Sequence, residues 1–153
     1  MADALADLLQ AAIDRAWPEV RAISDEQATL PAKEGRWTSK QELGHLIDSA
    51  ANNHMRFVRA SLDGEYRGPG YEQDKWVEAH GYAETPWDDL IELWRRYNEL
   101  LVQVVRRIPD SRLSAPCLIG SYPEMTLGFV IEDYVRHLQH HLDQLLARDR
   151  VTA

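Results

Sequence analysis

Within residues 85–109 the chain places Leu90, Leu93, Trp94, Tyr97, Leu101, Val104 and Val105 three or four positions apart. Only an α-helix gathers that spacing into one apolar stripe, because its side chains return to the same face every 3.6 residues. Thr85-Pro86-Trp87-Asp88 reads as the start, with Thr85 as N-cap, proline at the first helical position and an acid in the first turn. Pro109 stops it. Three more segments follow the same rule. The first covers about residues 3–23, with Leu5, Leu8, Leu9, Ala12, Ile13 and Ala16 at helical spacing and Pro18 as a kink or an effective end. The second opens where Ser39 and Glu42 read as a capping box and runs to about residue 61. The last covers about residues 126–147, with its stripe at Leu127, Ile131, Tyr134, Leu138, Leu142 and Leu145. Strand signals between these segments are poor, so the expected fold is all-α.

The connections are unequal. Asp63-Gly64-Glu65-Tyr66-Arg67-Gly68-Pro69-Gly70-Tyr71 is a Gly/Pro-rich crossing that leads to a short helix over about residues 72–79. Residues 110–125, broken by Pro116, Gly120 and Pro123, read as irregular. Both are too long for simple bundle turns. The sequence therefore predicts an antiparallel four-helix bundle with long crossover loops, one end of which is covered, in a single domain over 1–153. A chain of this size can hide about two-thirds of its unfolded surface.

Charge and composition exclude several classes of function. A net charge of -8 without a Lys/Arg stripe lacks the field that binds nucleic acid. No apolar run approaches the roughly 20 residues of a membrane helix. The N-terminus carries Asp3 and Asp7 where a secretory signal would carry basic residues, and the expected location is cytoplasmic. The one cysteine, Cys117, has no partner for an intrachain disulfide and no His or basic neighbour in sequence, so it reads as a packing thiol.

The chemistry lies in the histidines, which number six. His137 and His141 stand four apart in the last helix and project from one shoulder of its stripe, close enough for both rings to ligate one ion. An i,i+4 His pair is the metal-binding half of the zincin motif, but Leu138 occupies the place of the zincin Glu, which excludes that protease chemistry. His140 turns away. A third ligand must come from another helix, and the second offers His45 and His54. Its stripe passes through Leu43, Leu46, Ile47, Ala50, Phe57 and Val58. His54 lies on that stripe, whereas His45 points to nearly the opposite side with Ser49, Asn52 and Arg56. Periodicity alone favours His54.

Gly35-Arg36-Trp37-Thr38-Ser39-Lys40-Gln41-Glu42-Leu43-Gly44-His45-Leu46-Ile47-Asp48-Ser49 resembles the second-helix signature of the DinB-like, YfiT-type four-helix metalloprotein family, in which a Trp precedes a ligand His by two turns. Tyr71-Glu72-Gln73-Asp74-Lys75-Trp76 resembles that family's crossover segment, and Tyr134-Val135-Arg136-His137-Leu138-Gln139-His140-His141 its fourth-helix ligand block. The resemblance implies His45, His137 and His141 as ligands, with the crossover at 62–84 covering the polar side of the second helix. It implies a divalent metal ion, zinc or nickel first, since three imidazoles suit several divalent ions and leave one position open. Members of the family include transferases that join a low-molecular-weight thiol such as bacillithiol to electrophiles, related domains use mycothiol, and other members are described as metal-dependent hydrolases. A metal-dependent thiol S-transferase of detoxification type is therefore expected, with a small-molecule thiol and an electrophilic substrate as partners. The alternatives are a hydrolase using metal-bound hydroxide and a noncatalytic metal- or ligand-binding bundle. Asp48, one turn beyond His45, and Asp133, one turn before His137, are candidates for orienting imidazoles. Tyr71, Trp76 and Tyr122 are candidates for the pocket mouth, and a homodimer is expected.

Overall fold

The computed structural model describes residues 1–31 and 36–152, with side chains up to Ala147, so Gly35 of the second-helix signature lies outside the described residues. Four long helices build a bundle: α1 (Ala2–Arg21), α3 (Ser39–Asp63), α5 (Trp87–Arg106) and α6 (Leu127–Thr152). Two short ones, α2 (Asp25–Ala28) and α4 (Gln73–His80), sit in the connections. Around the bundle, α1 and α3 are each flanked by α5 and α6. The expected stripes form the core, with Leu9, Ile13, Leu43, Leu46, Phe57, Leu90, Trp94, Leu101, Leu127, Ile131, Leu138 and Leu142 all buried. Leu8 and Leu93, read as stripe residues, lie at its edge and are about half exposed, because neither faces a neighbouring helix squarely.

Helix directions explain the long connections. α1 and α5 are antiparallel, since Arg106 near the end of α5 meets Asp3 and Asp7 at the start of α1, and Trp87 Nε1 donates to the Val20 carbonyl at the opposite end. α3 and α6 are antiparallel as well, with Phe57 against Tyr134 and Glu42 against His141. α3 and α5, by contrast, run the same way. Asp25 serves both N-terminal ends, pairing with Lys40 Nζ at 3.0 Å and accepting from the Trp87 amide at 2.8 Å. A tight turn cannot join parallel neighbours. The chain must travel back along the 25 residues of α3, about 37 Å at 1.5 Å per residue, and α4 lies on that return path.

The two crossovers are stitched together by a small sheet that the sequence pattern does not announce. β1 (Tyr66–Gly68) pairs in parallel with β2 (Pro116–Ile119), and β2 pairs antiparallel with β3 (Met125–Thr126). Strands of two to four residues are too short to show a period of two. Residues 110–125, expected to be irregular, hold β2 and a 3-10 turn.

Several helix ends also differ from the sequence reading. The capping box is formed by Thr38 and Gln41, one residue before the Ser39/Glu42 pair, and this frees Glu42 for another role. Pro86 stands at the N-cap of α5 in place of Thr85, and the side chain of Asp25 satisfies the first amide. Pro18 sits inside α1 near its end without terminating it. α3 ends at Gly64, whose φ of 81° is the left-handed conformation that glycine adopts freely. Among the described residues no helix is long and apolar enough to cross a membrane.

Candidate metal centre

His45 is only 1 % exposed, although the helical wheel places it on the polar side of α3. Two coverings resolve the conflict. On one side, the Trp37 ring lies 5.1 Å from the His45 ring, with the His137 and His141 rings of α6 at 5.0 and 4.7 Å. On the other, the return crossover presses Tyr82 onto Gly44, where even a Cβ would stand 2.0 Å from the Tyr82 Cδ2. His54, the inward imidazole by periodicity, instead faces α5, with its Nδ1 2.9 Å from the Tyr97 hydroxyl.

Three imidazoles converge as a result. His45 Nε2 stands 3.2 Å from His137 Nε2, and one ring nitrogen from each of His45, His137 and His141 lies within 4.8 Å of the others. Two nitrogens about 2.0–2.1 Å from one tetrahedral ion stand about 3.3–3.4 Å apart, so the His45–His137 spacing fits a shared ion. The third ring is held by Glu42, which is buried and lies 2.5 Å from His141 Nδ1. With the Nδ1 hydrogen donated to that carboxylate, the lone pair of His141 sits on Nε2, free for a cation. Glu42 is the functional residue that sequence reasoning assigned wrongly, to a helix cap. The signal was present: Glu42 precedes His45 by three residues and so shares its face.

Burial holds two of the rings neutral. Desolvation first, and then repulsion from His141 and His137, lowers His45 to about 4. Desolvation and His141 likewise lower His137 to about 4. Neutral imidazoles are the ligating form. Two deprotonated Nε2 atoms facing each other repel unless a proton or a cation lies between them, and the donor set therefore suits a divalent ion.

Two acids expected to orient imidazoles do something else. Asp48 Oδ1 accepts from the Tyr82 hydroxyl at 2.6 Å and lies 3.0 Å from His80 Nδ1, so its carboxylate fastens the crossover to α3. Burial pushes the Asp48 carboxyl above its usual range, against the pull of Tyr82 and His80. Asp133 lies exposed at the edge of the cleft that His137 also lines and pairs with Arg136 at 3.0 Å, so its carboxylate is engaged by a guanidinium rather than bonded to an imidazole nitrogen.

A cleft of about 320 Å³ opens beside the triad. His45, Ser49, Asn53 and Arg56 form its α3 wall, with His137, Tyr71 and Tyr122 among the other lining residues. Trp76 is not among them and supports Tyr71 from behind, with ring centroids 5.3 Å apart. A second cleft of about 300 Å³ reaches Glu42 and His141 from the Trp37 side, and Gln73 of α4 borders both.

With this geometry in view, comparisons with known proteins identify the family. The chain belongs to the DinB superfamily, whose family model matches residues 8–145. An Oceanobacillus iheyensis protein named "Putative metal-dependent hydrolase" is 24% identical over 123 residues, covering 80% of this chain and 70% of that protein. YfiT of Bacillus subtilis, which carries the same description, is 23% identical over 132 residues, covering 86% and 74%. The solved YfiT structure, described as a probable metal-dependent hydrolase with an unusual four-helix bundle topology, superposes with a TM-score of 0.87 at 20% identity over 99% of this chain and 87% of that one. A mycothiol-dependent maleylpyruvate isomerase superposes with a TM-score of 0.77 at 13% identity over 95% of this chain and 60% of the other. These superpositions establish the fold, a four-helix bundle. The sequence relatives are named as metal-dependent, and this chain carries a histidine cluster that could hold a metal ion.

Proposed function

We propose that this DinB-superfamily chain is a metal-dependent enzyme in which His45, His137 and His141 hold one divalent ion, zinc or nickel, and which transfers a low-molecular-weight thiol to an electrophile. The observation that carries the reading is the meeting of two clefts at one triad: the larger reaches His45 and His137, the smaller reaches His141 through Glu42. Two entrances to one reacting centre would admit a thiol and an electrophile from separate sides. A fold neighbour that depends on mycothiol supports the thiol.

When bound, the ion acts as a Lewis acid that favours thiolate over thiol at neutral pH. The chain's residues supply the rest. Glu42 fixes the tautomer and tilt of His141. Ile119, Met125 and Val130 give the larger cleft an apolar wall that limits water around the nucleophile. The Tyr71 hydroxyl, bonded to Ser49 and pushed up chiefly by burial, remains protonated and can donate to a departing or carbonyl oxygen.

A second reading, hydrolysis without a thiol, is favoured by the names of the sequence relatives. The two differ in one requirement. Zinc- or nickel-loaded protein is incubated with a chromogenic aryl halide or an aryl ester, with and without bacillithiol, mycothiol or glutathione. Product formation that requires the thiol is the expected result. Ester cleavage at the same rate without any thiol would overturn the transferase in favour of the hydrolase.

A further inference from the structure

The α3 wall of the larger cleft is a polar stripe, His45, Ser49, Asn53 and Arg56, at intervals of three or four. It ends in an arginine that is only 7 % exposed. Burying a guanidinium is unfavourable unless its charge is met by a carboxylate or phosphate. Arg56 has no such partner among the described residues. Its two acceptors are neutral and at long range, the Asn53 Oδ1 at 3.4 Å and the Pro69 carbonyl at 3.3 Å. Among the described residues, most of the five N–H donors of this planar fork are left without a protein acceptor, in a side chain that lines the cleft. Asp133, the acid among the cleft's lining residues, is already paired with Arg136. A buried, unpaired fork at the end of a cleft that begins at the metal triad is an anion receptor in search of its anion.

We infer that Arg56 is a specificity-determining residue that clamps the carboxylate of an organic-acid substrate, with the reacting end of that molecule at the histidine triad. The planar fork matches a carboxylate bidentately. Ile119, Met125 and Val130 fit an apolar body between the two ends. Arg56 follows His45 by eleven positions, about 16 Å of helix between Cα atoms, and even with the arginine side chain leaning back toward the helix N-terminus the acid is extended, with its reacting atom several bonds from its carboxylate. The inference deepens the proposed function by naming a substrate class and rests on that reading for the triad's role.

The test measures binding, by calorimetry or ligand-observed NMR, of straight-chain carboxylic acids of four to eight carbons, their neutral primary amides, S-methylglutathione and inorganic phosphate. Wild type, Arg56→Lys, Arg56→Met and His137→Ala are compared with metal removed. Wild type should bind at least one acid tenfold or more tightly than its amide. Arg56→Met should lose that preference with an unchanged circular dichroism spectrum, and Arg56→Lys, which keeps the charge without the fork, should retain only part of it. Simple acids as the best ligands place the carboxylate on the electrophile, and S-methylglutathione as the best places it on the thiol. Equal binding of acid and amide, a full preference in Arg56→Lys, or phosphate as the tightest ligand would each overturn the clamp. Acids that bind only after zinc is added would also overturn it, because the ion would then be their receptor. An intact acid preference in a protein that takes up no metal would sink the proposed function and leave the Arg56 site standing.

Discussion

The two halves of α3 obey different rules. In the C-terminal half, 51–63, the buried residues are Asn53, Arg56, Phe57 and Ala60, while Met55, Arg59 and Leu62 face out, a one-sided helix of the ordinary kind. In the N-terminal half, 39–50, every residue except Gln41 is buried, including Lys40, Glu42, His45, Asp48 and Ser49. Buried polar groups persist where partners meet them, and here Asp25 meets Lys40, His141 meets Glu42, and Tyr82 meets Asp48. Partners from α2, α6 and the return crossover therefore form a second layer over one half of the helix. Trp37 and the α6 imidazoles on one side and Tyr82 against Gly44 on the other, rather than the helix stripe, keep His45 inside.

The sharpest way to break the contrast is to push the layer off. Gly44→Ala would set a methyl group against the Tyr82 ring at a spacing of 2.0 Å, so the ring or the helix must shift. Overpacking of this kind should destabilise by about 3 kcal/mol, read as a fall in Tm of roughly 6–12 °C, with Tyr82 becoming more accessible. A Tm within 2 °C of wild type, on the order of the shift that 0.5 kcal/mol produces, would contradict the tight second layer. Next in size, Glu42→Gln keeps the shape but removes the carboxylate that fixes His141. Metal affinity should fall about 10–100-fold with little change in fold, as measured by competition with a chromogenic chelator.

Acid should distinguish the halves as well. His45 and His137 have folded values lowered to about 4 from an ordinary 6.5, so the unfolded chain binds protons first. Their contribution is present above about 6.5 and is lost as pH falls toward about 4. Metal-free protein should lose stability on the order of 1–2 kcal/mol across that window once partial solvent screening is discounted. A His45→Ala, His137→Ala double variant should lose less. Denaturant titrations at pH 7 and pH 4.5 would show it, and equal losses would contradict buried neutral rings. Smallest of all, Met55→Ser on the exposed face of the C-terminal half should change stability by no more than about 0.5 kcal/mol.

Much of this was legible in the chain. The stripes of α5 and α6 were readable because their burial is one-sided and repeats over five or more turns. The His137/His141 pair was visible because both residues belong to one helix, whose geometry fixes their separation. His45 was different: its wheel position argued against it, and only the resemblance of the residues around Trp37 and His45 selected it over His54. The β-strands at 66–68 and 116–119 stayed hidden because their pairing joins segments some fifty residues apart and leaves no local period. Glu42 was misread through a local rule, the capping box, that Thr38 and Gln41 satisfy one residue earlier. Asp48 was misassigned because spacing along a helix cannot reveal that Tyr82 and His80 come to meet it from another segment.

The central claim is that imidazoles from α3 and α6 share one cation. Metal content of untagged protein tests it most directly, with wild type measured beside His45→Ala, His137→Ala, His141→Ala and His54→Ala after equilibration with zinc or nickel and desalting. The account predicts about one equivalent per chain in wild type and in His54→Ala, and close to none in the other three. Equal occupancy in all five proteins would contradict it.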